Sequence, residues 1–261
     1  MKVVILCGGK GTRMREETEY RPKPLVTIGG MPILWHIMKT YSYYGYKDFI
    51  LCLGYKGEMI KDYFLKFEEL ANDFTLNLRS KHERVIHHSK SNLEDWNITF
   101  VNTGNDSQTG SRVAKIREFI GNGEDFFLTY GDGVANVNIA DLLAFHKAHN
   151  KISTITAVRP PSRFGEIMAK GKSVTVFNEK PAVSEGYING GFFVFKSQLF
   201  DYLSVEDDCV LEKEPLETLA KKGEMMMYPH NDFWHCMDTY RDYLMLNDRW
   251  DEGKASWKVW E

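Results

Sequence analysis

Alternating apolar patterns constrain the fold more than any other feature of this sequence. A strand-like apolar run at residues 2–6 precedes a segment at 32–44 whose apolar residues recur at helical spacing. A second strand at 49–53 and a second helix at 56–67 repeat that order. Strands that alternate with helices predict a parallel sheet covered on both faces, with ligands at the carboxyl ends of the strands. The sequence therefore predicts an α/β fold.

The middle of the chain, at about 70–115, departs from this order. Two short strands at 74–78 and 97–101 flank a charged, histidine-containing stretch. We interpret this excursion as a flap or an oligomer contact within a single domain of residues 1–261, because no linker rich in Pro, Gly or Ser divides the chain. The later elements are predicted to be strand 126–130, helix 140–149, strands 153–158, 174–177 and 191–195, helix 215–221, strand 225–228 and a helix after Asp238.

Composition and charge exclude several classes of protein. Hydrophobic residues make up 43% of the 261 residues, which is enough for a sizeable core. A formal charge of -3 with dispersed cations argues against nucleic acid as a partner. No window approaches the roughly 18 apolar residues that a membrane span needs. The four cysteines are widely spaced without a C-x-x-C pair, which predicts reduced thiols in a cytoplasmic protein.

A glycine-rich, cationic loop follows the first strand, in "CGGKGTRMREETEYRPKPLV". Its spacing fits neither the dinucleotide fingerprint G-x-G-x-x-G nor the P-loop. Prolines on both sides of Lys23 stiffen its backbone and favour an extended conformation at that lysine. A glycine turn alone could simply connect a strand to a helix. Glycines, Arg13 and the P-K-P segment together favour an anion-binding loop, with phosphate as the expected group.

Two aspartates complete a candidate chemical set. Asp132 lies between glycines at the end of strand 126–130, and Asp238 precedes the last helix. Taken singly, Asp132 could be a turn residue and Asp238 a helix N-cap. A phosphate loop, however, implies Mg²⁺, which one or two carboxylates hold together with substrate oxygens.

Other residues suggest structural roles. Residues 225–227 are consecutive methionines, which we predict to lie in the core. His146 and His149 have helical spacing but no evident third ligand, so a solvated or capping role is expected. His87 and His88 are adjacent on a predicted strand and point to opposite faces, which makes them poor joint metal ligands.

The motifs "GGKGTRM" and "RPKPLVTIGGMPIL" resemble the signature of the sugar-nucleotide pyrophosphorylase family. "PILWHIMK", "TYGDGVANVN", "INGGFFVF", "FWHCMDTYRD" and "WKVWE" are similar to its glucose-1-phosphate cytidylyltransferase branch. The resemblance implies a Rossmann-like, mixed but mostly parallel sheet of the nucleotide-diphospho-sugar transferase type. It also implies the reaction of CTP with α-D-glucose 1-phosphate to CDP-glucose and pyrophosphate, dependence on Mg²⁺, a homohexamer, and a product used for dideoxyhexose and surface-polysaccharide synthesis.

The family's motifs assign roles to matching positions. Arg13 is expected at the departing β and γ phosphates and Lys23 at the α phosphate, and both count with Asp132 as catalytic. Asp132 and Asp238 are expected to hold Mg²⁺. The nucleotide is expected against Leu6, Cys7, Gly8, Gly9, Lys10, Gly11, Thr12, Arg13, Lys23, Ser107, Arg112 and Gly131. The sugar phosphate is expected against Tyr130, Glu179, Lys180, Asn189 and Gly190.

Charge repulsion dominates the barrier of such a reaction, because both substrates are polyanions. The attacking phosphate is already ionised near neutral pH, so no catalytic serine, cysteine or histidine nucleophile is expected.

Two alternatives to this function stay open. A uridylyl- or thymidylyltransferase would share the loop and both aspartates. A non-catalytic sugar-nucleotide-binding subunit is the other, although such proteins tend to lose the metal carboxylates or the loop lysine.

Overall fold

A central seven-stranded sheet organises the chain in our computed structural model, which describes residues 1–79, 84–87, 94–159, 166–178 and 186–261. The strands are β1 (Val3–Cys7), β2 (Thr27–Ile28), β3 (Met31–Pro32), β4 (Asp48–Leu53), β5 (Asp73–Leu76), β6 (Arg84–His87), β7 (Asn97–Asn102), β8 (Asp125–Tyr130), β9 (Gly133–Ala135), β10 (Ser153–Val158), β11 (Glu166–Lys170), β12 (Ser173–Asn178), β13 (Ile188–Lys196), β14 (Met225–His230) and β15 (Trp234–Cys236).

The sheet order is β14-β10-β13-β8-β1-β4-β7. Its strand pairs are parallel except at β13, which runs antiparallel to both β8 and β10. The predicted mixed, mostly parallel α/β sheet is therefore confirmed. The helices are α1 (Arg15–Thr18), α2 (Ile33–Tyr43), α3 (Gly57–Leu65), α4 (Phe67–Ala71), α5 (Thr109–Ala114), α6 (Ile139–His149), α7 (Glu214–Lys221) and α8 (Tyr240–Asp251), with 3₁₀ turns at Lys23–Leu25, Arg117–Phe119 and Ser197–Tyr202.

Strand β1 shows why its sequence is apolar throughout. All five of its residues are buried, because helices cover both faces of the sheet. Val3 and Ile5 join a core cluster with α2, whereas Val4 and Leu6 face a second cluster that includes Val113 of α5. Because both faces of β1 are packed, the strand is held firmly and its carboxyl end fixes where the following loop begins.

The structure confirms some predictions about local structure and contradicts others. The predicted strand at 174–177 is confirmed as part of β12, which pairs with β11 in a hairpin separate from the central sheet. Met226 and Met227 are exposed on β14, an edge strand of the sheet, whereas Met225 packs against the second core cluster, so the core prediction is wrong for two of the three methionines. Lys23 opens a 3₁₀ turn rather than an extended segment, and burial of the following Pro24 and Leu25 favours that turn.

The histidines also differ in part from expectation. His146 is fully buried and hydrogen-bonded to Thr154 Oγ1, so it is not solvated. His149 shares the same hydroxyl. His87 ends β6, and His88 lies outside the described residues. Among the described residues, the helices are too short or too polar to cross a membrane.

Candidate active site

A cavity of about 290 Å³ opens at the carboxyl ends of β1 and β8. Because these neighbours are parallel, the loops that follow them meet at one edge of the sheet. Predicted nucleotide residues from both loops line the cavity, and a further part of its wall comes from α5 and the residues just before it. The predicted residues that line it are Leu6, Cys7, Gly8, Gly9, Gly11, Thr12, Arg13, Lys23, Ser107, Arg112, Tyr130, Gly131 and Asp132.

Arg112 supports the glycine loop from behind. Its Nη2 donates to the Gly8 carbonyl at 3.0 Å, and its Nη1 donates to the carbonyls of Leu53 and Gly104 at 3.1 and 2.7 Å. Nη1 also donates to the Thr103 hydroxyl at 2.8 Å, so the guanidinium is committed to oxygens of the protein itself. Direct contact between Arg112 and CTP stays a prediction, whereas its hydrogen bonds make it a positioning residue for the loop.

Two other predicted nucleotide residues make contacts within the protein. Ser107 is buried and donates to the Thr103 carbonyl at 2.6 Å, and Lys115 Nζ lies 2.8 Å from its hydroxyl. Lys10 reaches across the mouth of the cavity to Asp106, with 3.0 Å between Nζ and Oδ1. The pair joins the glycine loop to the segment before α5. Lys10 is a predicted nucleotide residue that does not line the cavity wall.

Four charged residues far apart in the sequence converge at the edge of this cavity. Lys23 Nζ lies 2.7 Å from Asp132 Oδ2 and 2.7 Å from Asp238 Oδ1. Arg13 Nη1 lies 2.8 Å from the other oxygen of Asp238. The cationic loop and the two carboxylates therefore form one cluster, as the sequence predicted.

Electrostatics keeps this cluster charged. Burial alone would lower the pKa of Lys23, but the charge of Asp132 and the hydrogen bonds to Asp132 and Asp238 together outweigh burial and raise that pKa above its ordinary value. Burial would likewise raise the pKa of Asp238, yet its hydrogen bond from Lys23 and the charges of Lys23 and Arg13 hold that pKa below its usual range. The lysine is therefore a cation and Asp238 a carboxylate at neutral pH.

The donor set fits a hard divalent cation. Ligand atoms of Asp132, Asp238 and Cys236 all lie within 4.8 Å of one another. Burial, followed by the Asp132 charge, raises the pKa of the Cys236 thiol well above its ordinary value, so this sulfur stays protonated and soft. Carboxylate oxygens are the ligands that Mg²⁺ prefers. Asp132 and Asp238 could hold the ion, with Cys236 as a neighbour.

Helix α8 fixes the backbone of Asp238. The N-cap of α8 is Thr239, whose hydroxyl accepts from the backbone N–H of Asp242, so the alternative of Asp238 as the N-cap is wrong. Asp242 accepts hydrogen bonds from the backbone N–H groups of Asp238 and Thr239 at 3.1 and 2.8 Å. The cap therefore leaves the Asp238 carboxylate free for Lys23 and Arg13.

A second cavity, of about 220 Å³, lies on the other side of this cluster. Predicted sugar-phosphate residues Tyr130, Asn189 and Gly190 line it together with Asp132 and Asp238. Arg13, Tyr130 and Asp132 also line the first cavity, so the two cavities adjoin at these residues. The remaining predicted sugar-phosphate residues, Glu179 and Lys180, lie outside the described residues.

Two residues of this region were missed by sequence analysis. Trp234 lines the second cavity, and its indole N–H donates to the Gly190 carbonyl at 2.7 Å. Its place in "FWHCMDTYRD" was a usable signal, because the motif also contains Asp238. Glu212 accepts hydrogen bonds from Tyr130 and Thr109, and nothing in the local pattern around it marks that contact.

Comparison with known proteins decides the family. The sequence model of the Nucleotidyl transferase family matches residues 2–251. The chain belongs to the nucleotidyl transferase family. The glucose-1-phosphate cytidylyltransferases of Salmonella typhimurium (strain LT2) and Salmonella typhi are each 48% identical to it over 261 residues, which is all of both chains. This nucleotidyl transferase therefore falls in their branch.

The fold of this nucleotidyl transferase also recurs in distant solved structures. A UDP-glucose pyrophosphorylase solved with UDP-glucose superposes with a TM-score of 0.68 at 15% identity, over 97% of this chain and 98% of the other. Identity that low supports the fold alone. The expected nucleotide-diphospho-sugar transferase fold is confirmed.

Proposed function

We propose that this nucleotidyl transferase transfers the cytidylyl group of CTP to α-D-glucose 1-phosphate, giving CDP-glucose and pyrophosphate. The observation that carries the proposal is the 48% identity, over the whole of both chains, to enzymes named for that reaction. The convergence of Arg13, Lys23, Asp132 and Asp238 supports it, because two polyanionic substrates need such a cluster to approach each other.

In this proposal the chain's own residues neutralise and align the phosphates. Lys23 carries its charge to the α phosphate that is attacked, and Arg13 stabilises the charge that moves onto departing pyrophosphate. The backbone of Gly8–Gly11 lets phosphates approach closely. The phosphate oxygen of the sugar attacks in line, since the two cavities meet at Asp132 and Tyr130. That oxygen is already ionised, so the protein supplies no general base.

We further propose Mg²⁺ as the cofactor, held by Asp132 and Asp238. When bound, the ion would add charge neutralisation and a template for the phosphate oxygens. Titration with Mn²⁺ followed by electron paramagnetic resonance tests this directly. Asp132→Asn and Asp238→Asn should each weaken Mn²⁺ binding at least tenfold in the presence of CTP. Unchanged binding in both variants would contradict the assignment.

Turnover with different nucleotides separates the proposed function from its alternatives. We expect wild-type protein with glucose 1-phosphate to release pyrophosphate fastest with CTP, and much more slowly with UTP or dTTP. A preference for UTP or dTTP would favour a uridylyl- or thymidylyltransferase. Binding of CDP-glucose without turnover of any nucleotide would favour a regulatory subunit, an alternative that the presence of Arg13, Lys23 and both carboxylates disfavours.

The proposal also covers the oligomeric state of this nucleotidyl transferase and its role in the cell. We propose a homohexamer in the cytoplasm that supplies CDP-glucose for dideoxyhexose and surface-polysaccharide synthesis. Apolar side chains exposed on α3, α4 and the β5 region, such as Leu65 and Leu70, support burial against another copy. The absence of disulfides among the four free cysteines supports a reducing compartment. Light scattering coupled to size exclusion tests the assembly, and a monomer would contradict it.

A further inference from the structure

A chain of hydrogen bonds connects the two cavities through one carboxylate. Thr109, which lines the first cavity, donates from Oγ1 to Glu212 Oε2 at 2.6 Å. The Tyr130 hydroxyl donates to the other oxygen, Glu212 Oε1. Asn189, which lines the second cavity, donates from Nδ2 to the Tyr130 oxygen at 3.1 Å. Glu212 lines neither cavity, yet it touches residues of both.

The chemistry of Glu212 fixes the direction of every bond in this chain. A carboxylate only accepts, so both hydroxyls must donate to it. The Tyr130 oxygen then presents a lone pair, which accepts an amide N–H of Asn189. A phenol carries its proton at neutral pH, so the Tyr130 hydroxyl has the hydrogen that this bond requires.

The amide of Asn189 is consequently held at both ends. Its Oδ1 accepts from the backbone N–H of Gly191 at 2.8 Å, and one N–H goes to Tyr130. Within the described part of the chain, these bonds leave the second N–H available to a ligand. A flipped amide would place Oδ1 against Tyr130 and an N–H against the N–H of Gly191, which is unfavourable.

We propose that Glu212 is a positioning residue for the sugar-phosphate cavity. By accepting a hydrogen bond from Tyr130, Glu212 fixes the orientation of that hydroxyl, which in turn orients the Asn189 amide. One N–H of Asn189 then faces an acceptor oxygen of the sugar phosphate. Glu212 thereby couples a nucleotide-side residue, Thr109, to a sugar-side residue without touching either substrate. The inference rests on the proposed function, because it assigns the second cavity to the sugar phosphate.

A purely structural role for Glu212 would have different consequences. Glu212 lies on the segment that precedes α7, and Thr109 is the first residue of α5. The bond between Thr109 and Glu212 could serve only to pack that segment against α5. In that case, removing the Glu212 side chain would lower the stability of the protein. The size of that effect would be the same with or without the Tyr130 hydroxyl.

A double-mutant cycle between Glu212→Ala and Tyr130→Phe separates the two roles. We expect Glu212→Ala to raise KM for glucose 1-phosphate about tenfold, the effect of one hydrogen bond to a charged group, while KM for the nucleotide changes less. Tyr130→Phe should have a similar effect, and the double variant should be no worse than either single variant. Glu212→Gln should recover most of the loss, since its amide oxygen can accept from Tyr130.

Glu217→Ala is the matched control. Its carboxylate is exposed on α7, where it pairs with Lys221, and we expect KM for both substrates to stay within twofold. The positioning role is overturned if Glu212→Ala lowers the melting temperature without changing the ratio of the two KM values, or if its effect is undiminished in the Tyr130→Phe background. The cycle uses whichever nucleotide the wild-type protein prefers, so its outcome is independent of the nucleotide comparison that tests the proposed function.

Discussion

Arg112 is a buried cation whose partners are neutral. Burial lowers its pKa somewhat, but a guanidinium remains charged at any physiological pH. Its hydrogen bonds to the carbonyls of Gly8, Leu53 and Gly104 connect the loop after β1 to the loops after β4 and β7. One side chain thus fixes the relative positions of three loops at the carboxyl edge of the sheet.

This contact explains why residue 8 must be glycine. A Cβ at Gly8 would lie 2.1 Å from Arg112 Nη1, whereas a Cβ at Gly9 would meet no atom within 4 Å. We expect Gly8→Ala to lower the free energy of unfolding by roughly 2 kcal/mol through overpacking, and Gly9→Ala to change it by less than about 0.5 kcal/mol. Urea unfolding of the two variants measures the difference. Equal stability would mean that Arg112 can move aside without loss.

At the scale of elements, the hydrogen bonds at the start of α8 connect this helix to the candidate site. Thr239 and Asp242 form a capping box, and Asp242 also lies 3.0 Å from His235 Nε2 of β15. Because Asp242 also accepts from the backbone of Asp238, the helix cap and a candidate metal ligand share one structural support. A change in the cap should therefore reach the site.

Substitutions at Thr239 measure how much the cap contributes to stability. We expect Thr239→Ala to lower the free energy of unfolding by about 1 kcal/mol, since it leaves a backbone N–H at the helix start without its acceptor. Thr239→Ser, which keeps the hydroxyl, should cost only a few tenths of a kcal/mol. Thermal unfolding measures both variants. The ordering would be contradicted if serine were as destabilising as alanine.

The hairpin of β11 and β12 shows that the sequence pattern of a strand leaves its partner open. The run at 174–177 has strand character, but β11 is its only partner among the strands that the structure describes, and Val174 and Phe177 are exposed. The pattern of one strand does not specify its partner, since several strands offer compatible edges.

At the scale of the whole molecule, the C-terminal segment closes over α2 through an aromatic cluster. His36 is fully buried among Trp250, Trp257 and Trp260. Its Nε2 lies 2.9 Å from the Ile28 carbonyl, and the Trp257 indole N–H donates to Nδ1 at 3.4 Å. These bonds require a neutral ring with its proton on Nε2, because a protonated Nδ1 could not accept from Trp257.

A neutral buried histidine makes global stability depend on pH. Burial lowers the pKa of His36 to about 4 in the folded state, against 6.5 for an unperturbed ring. Between those values the unfolded chain binds a proton that the folded chain does not, so stability falls as the pH falls from 6.5 towards 4. Between pH 7 and pH 5 the expected loss from His36 is about 2 kcal/mol.

His36→Gln isolates this contribution, because glutamine keeps a donor and an acceptor but does not titrate. His146, whose pKa burial also lowers to about 4, is present in both proteins and cancels from the comparison. We expect the wild-type protein to lose about 2 kcal/mol more than the variant between pH 7 and pH 5 in urea unfolding. Parallel pH profiles would show that His36 titrates alike in the folded and unfolded chains, which would contradict its lowered pKa.

The sequence by itself determined the α/β class, most elements within a few residues, and the charged members of the site. Apolar periodicity reflects which faces of a helix or strand are buried, and that is a local property of the chain. The glycines, Arg13 and Lys23 were recognisable because they share one loop, and the two aspartates because Asp132 ends a strand between glycines and Asp238 precedes the last helix.

Only the tertiary structure decided how these parts contact one another. Residues 215 positions apart form the bond between Lys23 and Asp238, and it exists because the sheet order places β1 next to β8 and the β15 segment beside them. The same holds for Arg112, which became a support for the loop, and for Glu212, which no pattern marked. Contacts of this kind depend on which strand edges pair, and strand pairing is a cooperative property of the whole chain that no short window of sequence contains.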